Sequence, residues 1–166
     1  GAAWVDYVPH SPFANLIYKM KYGDRPDIAT YLGKVVAGEF SPHGFFEGID
    51  LILPLPLHPA RRRQRGYNQS CEFAYGISAV TDIPVADDII VRTRNTKSQT
   101  LMSPTQRAGN MVGAFAVKHP ERLKGKHVLL VDDILTTGAS LGACIEVLAK
   151  VDDVRVSFLT IGKTLD

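Results

Sequence analysis

A chain of 166 residues suits one domain with one core, and 45% hydrophobic against 22% charged residues is ordinary for a globular protein. No apolar run reaches the length of a membrane span, and a net charge of +2 lacks the strong bias usual in DNA-binding domains. Cys71 and Cys144 lie far apart with no paired spacing, which argues against a zinc site in this stretch and for reduced thiols in the cytoplasm.

Gly1-Ala2-Ala3 has no basic region and apolar stretch behind it, so no signal peptide is read there. Residues 1–10 are expected to be a leading scar or linker before a single domain over 11–166. Ser11 is a helix cap, followed by Phe13, Leu16, Ile17 and Met20 at i, i+3, i+4, i+7 spacing, and Gly23 stops that helix. A second helix opens near Pro26, with Ile28, Tyr31, Leu32, Val35 and Val36 on one face; the pair, within 11–40, is expected to cover the core of 48–162. Ile49–Leu53 reads as a buried strand running into a proline-rich loop at Pro54, Pro56 and Pro59. A helical period returns from about Asn68 to Val80, and Asp88–Val91 reads as the next strand.

From Arg92 to about Pro104 apolar periodicity nearly vanishes, and a loop of that length inside a compact domain is usually functional. Val112–Val117 and His127–Val131 read as strands. A helix bearing Leu141, Cys144, Ile145 and Leu148 follows, and a last strand runs from Val154 to Thr160. Strands alternating with helices predict an α/β fold with a mainly parallel twisted sheet. Ligands in such sheets bind beyond the carboxyl ends of the strands, which directs attention past Leu53, Val91 and Val131.

Past Val131 stand two adjacent carboxylates, Asp132 and Asp133, and then Thr136, Thr137, Gly138, Ala139 and Ser140 at the start of a helix. Free N–H groups and the dipole at a helix start favour a phosphate, Gly138 lets the backbone close around it, and the hydroxyls add donors. Two carboxylates just upstream suit a vicinal diol, each accepting a hydrogen bond from one hydroxyl. Either half alone has a bland use, as a turn or an ordinary cap. Joined on one strand–loop–helix unit they describe a site for ribose 5-phosphate. No Gly-x-x-x-x-Gly-Lys and no Gly-x-Gly-x-x-Gly occurs.

The segment Val128–Ser140 resembles the phosphoribosylpyrophosphate (PRPP) signature of type I phosphoribosyltransferases, with Ser140 where Thr is common. Leu53-Pro-Leu-Pro-Leu-His58 with Arg61 and Arg65-Gly-Tyr-Asn-Gln69, and the trio Gln99, Arg107 and Asn110 before Phe115, are similar to the ComF family of late-competence proteins. The resemblance covers about residues 11–162. Members of that family often carry an N-terminal zinc ribbon of paired cysteines, which this sequence does not show.

The resemblance implies a phosphoribosyltransferase-like fold with a mobile loop, Arg92–Arg107, closing over the substrate. It places pyrophosphate against Leu57, His58, Arg61, Arg65 and Gln99, gives Arg107 and Asp133 catalytic roles, and implies Mg²⁺ carried on the substrate near Asp132 and Asp133 rather than in a protein cage. An enzyme of this kind would transfer phosphoribosyl to a nitrogen acceptor. A rival implication is a non-catalytic competence protein that binds PRPP and single-stranded DNA, in company with competence or recombination proteins. The arginine cluster with Tyr67 would then supply a basic, stacking surface.

Overall fold

The computed structural model describes residues 1–94 and 113–165. The expected lid trio Gln99, Arg107 and Asn110, and most of the loop that carries it, lie outside the described residues.

Four parallel strands form the central sheet, in the order β1 (Ala2–Tyr7), β6 (Arg155–Thr164), β5 (His127–Leu135) and β2 (Leu51–Pro54). Residues 2–7 are therefore no linker. The segment pairs in parallel with β6 from Ala2↔Leu159 to Tyr7↔Thr164 as an edge strand, with Ala2, Trp4 and Tyr7 packed against the core. Both β5 and β6 also run longer than their apolar cores suggest, because pairing with each other continues to Leu135↔Lys163 past the charged residues. The remaining strands, β3 (Ile90–Arg92) and β4 (Phe115–Val117), make a separate antiparallel pair, so Val91 does not feed the parallel sheet as expected.

On one face lie α1 (Pro12–Tyr22), α2 (Pro26–Phe40) and α4 (Gln69–Thr81). Ser11 caps α1 by accepting from the Ala14 N–H at 3.0 Å, and Pro12 occupies the first turn, where its missing donor costs nothing. Leu129, Val131, Leu159 and Ile161 face these helices, whereas Val128 and Leu130 face α5 (Ala139–Leu148) and the β3–β4 pair. Strand alternation thus divides the core into two clusters, one on each side of the sheet.

Helices α2 and α4 touch backbone to backbone. A Cβ on Gly76 would stand 2.1 Å from the Thr30 carbonyl oxygen, and one on Gly33 would stand 2.3 Å from the Phe73 oxygen. Only glycine permits that approach, and it seats the start of α4 directly behind β5. Between β2 and α4, the short helix α3 (Pro59–Arg65) carries the arginine cluster.

Candidate phosphoribosyl site

A cleft of about 440 Å³ opens beyond the carboxyl ends of β2 and β5. Its lining unites most of the residues singled out in the sequence: Leu57, Arg61 and Arg65 on one side, Asp132 and Asp133 on the floor, Thr136 and Ser140 on the other. A small chamber of about 40 Å³ adjoins it, lined by Asp132, Thr136, Gly138, Ala139 and Ser140 among others. Gly138 is left-handed (φ 73°) at the cap of α5, and its carbonyl accepts from the Gly142 N–H at 2.7 Å. That conformation turns the chain sharply so that the first N–H groups of α5 border the chamber. Thr137 is exposed and its hydroxyl accepts from the Ala139 N–H at 3.4 Å, a local cap outside the chamber lining. His58 also stands outside the cleft lining: its Nδ1 caps α3 by accepting from the Ala60 N–H at 3.2 Å.

The acidic pair lies inside β5, not in a turn after it, so successive side chains go to opposite faces. Asp133, 4% exposed, points to the α1/α4 face. Its Oδ2 accepts from Lys21 Nζ at 2.9 Å and from Gln69 Nε2 at 2.9 Å, and its Oδ1 accepts from the Ile134 N–H at 2.5 Å. Asp132 is half-buried; its Oδ1 accepts from Ser70 Oγ and from the Asp133 N–H, both at 2.9 Å.

Those surroundings drive the two acids apart. Burial, then the neighbouring Asp133 charge, push Asp132 up to about 7. Burial acts on Asp133 in the same direction, but the Lys21 ammonium and the other donors outweigh it and hold that carboxyl below the usual range. For Lys21 the balance is similar: burial favours the neutral amine, Asp133 favours the ammonium more, and the pKa rises.

Sequence reasoning missed Lys21 as a member of the site. Its signal was present, since Lys21 stands four residues after Ile17 and continues the apolar stripe of α1 where a solvated lysine does not belong. Ser70 carried no signal, because its value depends on where α4 docks. Arg92, 9% exposed, reaches the cleft from β3 with its guanidinium 5.5 Å from the Phe115 ring centre. Burial and then Arg61 lower its pKa. Lys21, Arg61, Arg65 and Arg92 therefore set four cations against two carboxylates in the lining, a balance that favours a polyanion.

No group of three or more His, Cys, Asp or Glu side chains converges as a metal cage among the described residues. Asp132, with one carboxylate oxygen engaged by Ser70 and the Asp133 N–H and its side chain at the cleft, fits an ion that arrives on substrate phosphates.

A parallel sheet with an acidic pair in its third strand, a glycine-turned helix start and a cationic wall is the arrangement of a type I phosphoribosyltransferase-like α/β domain. The phosphoribosyl transferase domain family matches residues 68–161, and the chain belongs to that family. It is 29% identical over 163 residues to the DNA utilization protein YhgH of Shigella flexneri, covering 96% of this chain and 70% of that protein. It is 33% identical over 110 residues to competence protein F of Haemophilus influenzae, covering 64% of this chain and 48% of the relative. These relatives agree with the ComF resemblance of the motifs. Among solved structures, the glutamine PRPP amidotransferase from B. subtilis superposes with a TM-score of 0.53 at 20% identity, over 84% of this chain and 30% of that one, a likeness of fold.

Proposed function

We propose that the cleft binds PRPP and transfers its phosphoribosyl group to a nitrogen acceptor. One observation supports this reading: the chamber at Thr136–Ser140 adjoins the cleft that holds the carboxylates of β5 and Arg61 and Arg65, which suits a 5-phosphate, a ribose and a pyrophosphate taken in that order. Helix-start N–H groups and hydroxyls would hold the 5-phosphate, and the carboxylate floor would accept from the ribose hydroxyls. Arg61 and Arg65 would bind the pyrophosphate.

In the reaction the acceptor nitrogen's lone pair forms the bond to C1, the C1–O bond breaks, and pyrophosphate departs with the bonding pair while the nitrogen loses a proton to water. The transition state resembles an oxocarbenium ion, so catalysis rests on positioning and on cations at the leaving group. When bound on the pyrophosphate near Asp132, Mg²⁺ would neutralise charge on the leaving group.

Isothermal calorimetry with PRPP and Mg²⁺ tests the site. Binding is expected for the wild-type protein and is expected to weaken at least about tenfold in Asp132→Asn, the loss of a hydrogen bond to a charged acceptor. Absence of wild-type binding would sink the reading.

A second reading rests on its own observation. A second cleft of about 730 Å³, sharing Lys21, Tyr22, Arg61 and Arg65 with the first, is also lined by Arg63, and Asp24 is the one acid among its described lining residues. Such a trough suits a single-stranded phosphodiester chain stacking a base on exposed Tyr22, not on Tyr67 as expected, because Tyr67 is buried with its hydroxyl on the Met20 carbonyl. A role in DNA handling during competence accords with the names of the relatives, and that reading would place the protein in the cytoplasm alongside competence or recombination proteins. Salt-sensitive binding of single-stranded DNA, with no pyrophosphate released across a panel of bases and amines, would favour it over the transferase.

A further inference from the structure

Lys21 and Arg65 line the same cleft but are held differently. Lys21 is paired with the Asp133 carboxylate at 2.9 Å, whereas no carboxylate pairs with Arg65 among the described residues. Two neutral groups hold the Arg65 guanidinium instead. The Tyr22 ring lies beneath it, 5.4 Å from the guanidinium carbon to the ring centre, within the range of a cation–π contact. The Gln69 side-chain oxygen accepts from one of its five donors.

The ring is itself fixed in place. Tyr22 ends α1, and the Tyr18 ring lies 5.0 Å away, one turn earlier. The end of α1 is pinned to the end of α3, where the Met20 carbonyl accepts from the buried Tyr67 hydroxyl. That bond stands two residues before Tyr22 and two after Arg65, so it ties the two backbones together beside the contact. Left-handed Gly66 (φ 88°) makes the turn between Arg65 and Tyr67.

We propose that Tyr22 is a positioning residue for the pyrophosphate end of the cleft: its ring holds the Arg65 guanidinium in place without neutralising it. This deepens the PRPP reading and rests on it. A carboxylate beneath Arg65 would fix the side chain equally well, but it would compete with the anion for the same charge. An arginine with no brace would keep its charge, but it would lose most of its rotamer freedom when an anion ordered it. A ring face and an amide oxygen avoid both losses. Tyr22 lies outside the family match, which begins at residue 68. A tyrosine exposed at a helix end is ordinary by itself. Tyr22 differs in lining both clefts with the Arg65 guanidinium directly above it.

The Tyr22 ring is 67% exposed, so truncating it should leave the fold intact. Calorimetry with PRPP and Mg²⁺ should find binding about two- to fivefold weaker in Tyr22→Ala, the size of an exposed cation–π contact. Tyr22→Phe, which keeps the ring and loses only the hydroxyl, should bind as wild type does. In an Arg65→Ala background, Tyr22→Ala should weaken binding no further, because the ring acts only through the guanidinium. Unchanged affinity in Tyr22→Ala, or the same loss with Arg65 already removed, overturns the proposal. An equal loss in Tyr22→Phe also overturns it, since that would put the hydroxyl on the ligand. Loss of single-stranded DNA binding in Tyr22→Ala at full PRPP affinity would assign the ring to nucleic acid and overturn it too.

A second readout needs no ligand. In the empty protein, NMR should find the Arg65 side-chain protons displaced by the ring current in wild type and Tyr22→Phe, and not in Tyr22→Ala. If wild-type protein binds no PRPP, the site reading fails and takes the pyrophosphate role with it. The ring-current shift still decides whether Tyr22 holds Arg65, and its absence overturns the brace.

Discussion

The two walls of the cleft are made differently. Along α1, α3 and α4 the polar side chains already satisfy one another: Lys21 and Gln69 on Asp133, Arg65 on Gln69, the Tyr67 hydroxyl on the Met20 carbonyl. Along residues 136–140 the groups are half-buried or exposed, and the first turn of α5 leaves donors pointing at a small chamber. One wall is finished before the ligand arrives and sets position. The other is where the proposed 5-phosphate would be held. Each depends on a glycine, Gly76 for close approach and Gly138 for a left-handed turn, so the contrast can be broken one side at a time.

The largest effect is expected at Gly76→Ala. The new methyl meets backbone rather than a flexible side chain, so α2 and α4 must separate, at a cost of about 1–3 kcal/mol in denaturant unfolding. Displacement of Gln69 and Ser70 should accompany it, and a variant of unchanged stability would show that the finished wall is slack. Gly138→Ala comes next. The added Cβ finds only the Leu135 side chain, at 3.6 Å, so the cost is conformational, about 1–2 kcal/mol. Because that left-handed turn is already present in the ligand-free fold, the cost should appear as roughly a five- to thirtyfold smaller folded-to-unfolded ratio, read as a lower melting temperature of the empty protein. The smallest change is expected for His58→Ala, which removes a cap from α3 worth about 0.5 kcal/mol, at the low end for such caps. Calorimetry should find PRPP affinity unchanged, and a loss there would return His58 to the pyrophosphate wall.

The finished wall was the harder one to read in the sequence. Asp132, Asp133 and Thr136–Ser140 stand together in one strand–loop–helix unit, and local chemistry sufficed to propose a phosphate and a diol. The elements before them were similarly legible, since Ser11, Gly23 and Pro26 punctuate α1 and α2 locally. Lys21 and Ser70 act across long sequence separations, and only the docking of α1 and α4 on β5 gives them partners. The acidic pair was recognised but the different surroundings of its two members were not, because the strand was expected to end before Asp132, whereas pairing with β6 carries it to Leu135. The opening strand was missed because three small residues resemble a linker until an edge is there to receive them.

That opening strand has a consequence for how the protein is made. Its hydrogen-bonding partner, β6, lies about 150 residues later in the chain. During synthesis, at roughly 5–20 residues per second, the first strand must wait on the order of 10–30 s before its neighbour leaves the ribosome. Over that interval Trp4 and Tyr7 are apolar surface on a strand without an edge to join, a condition that favours aggregation and that chaperones offset. The sheet is closed last at the edge that was made first.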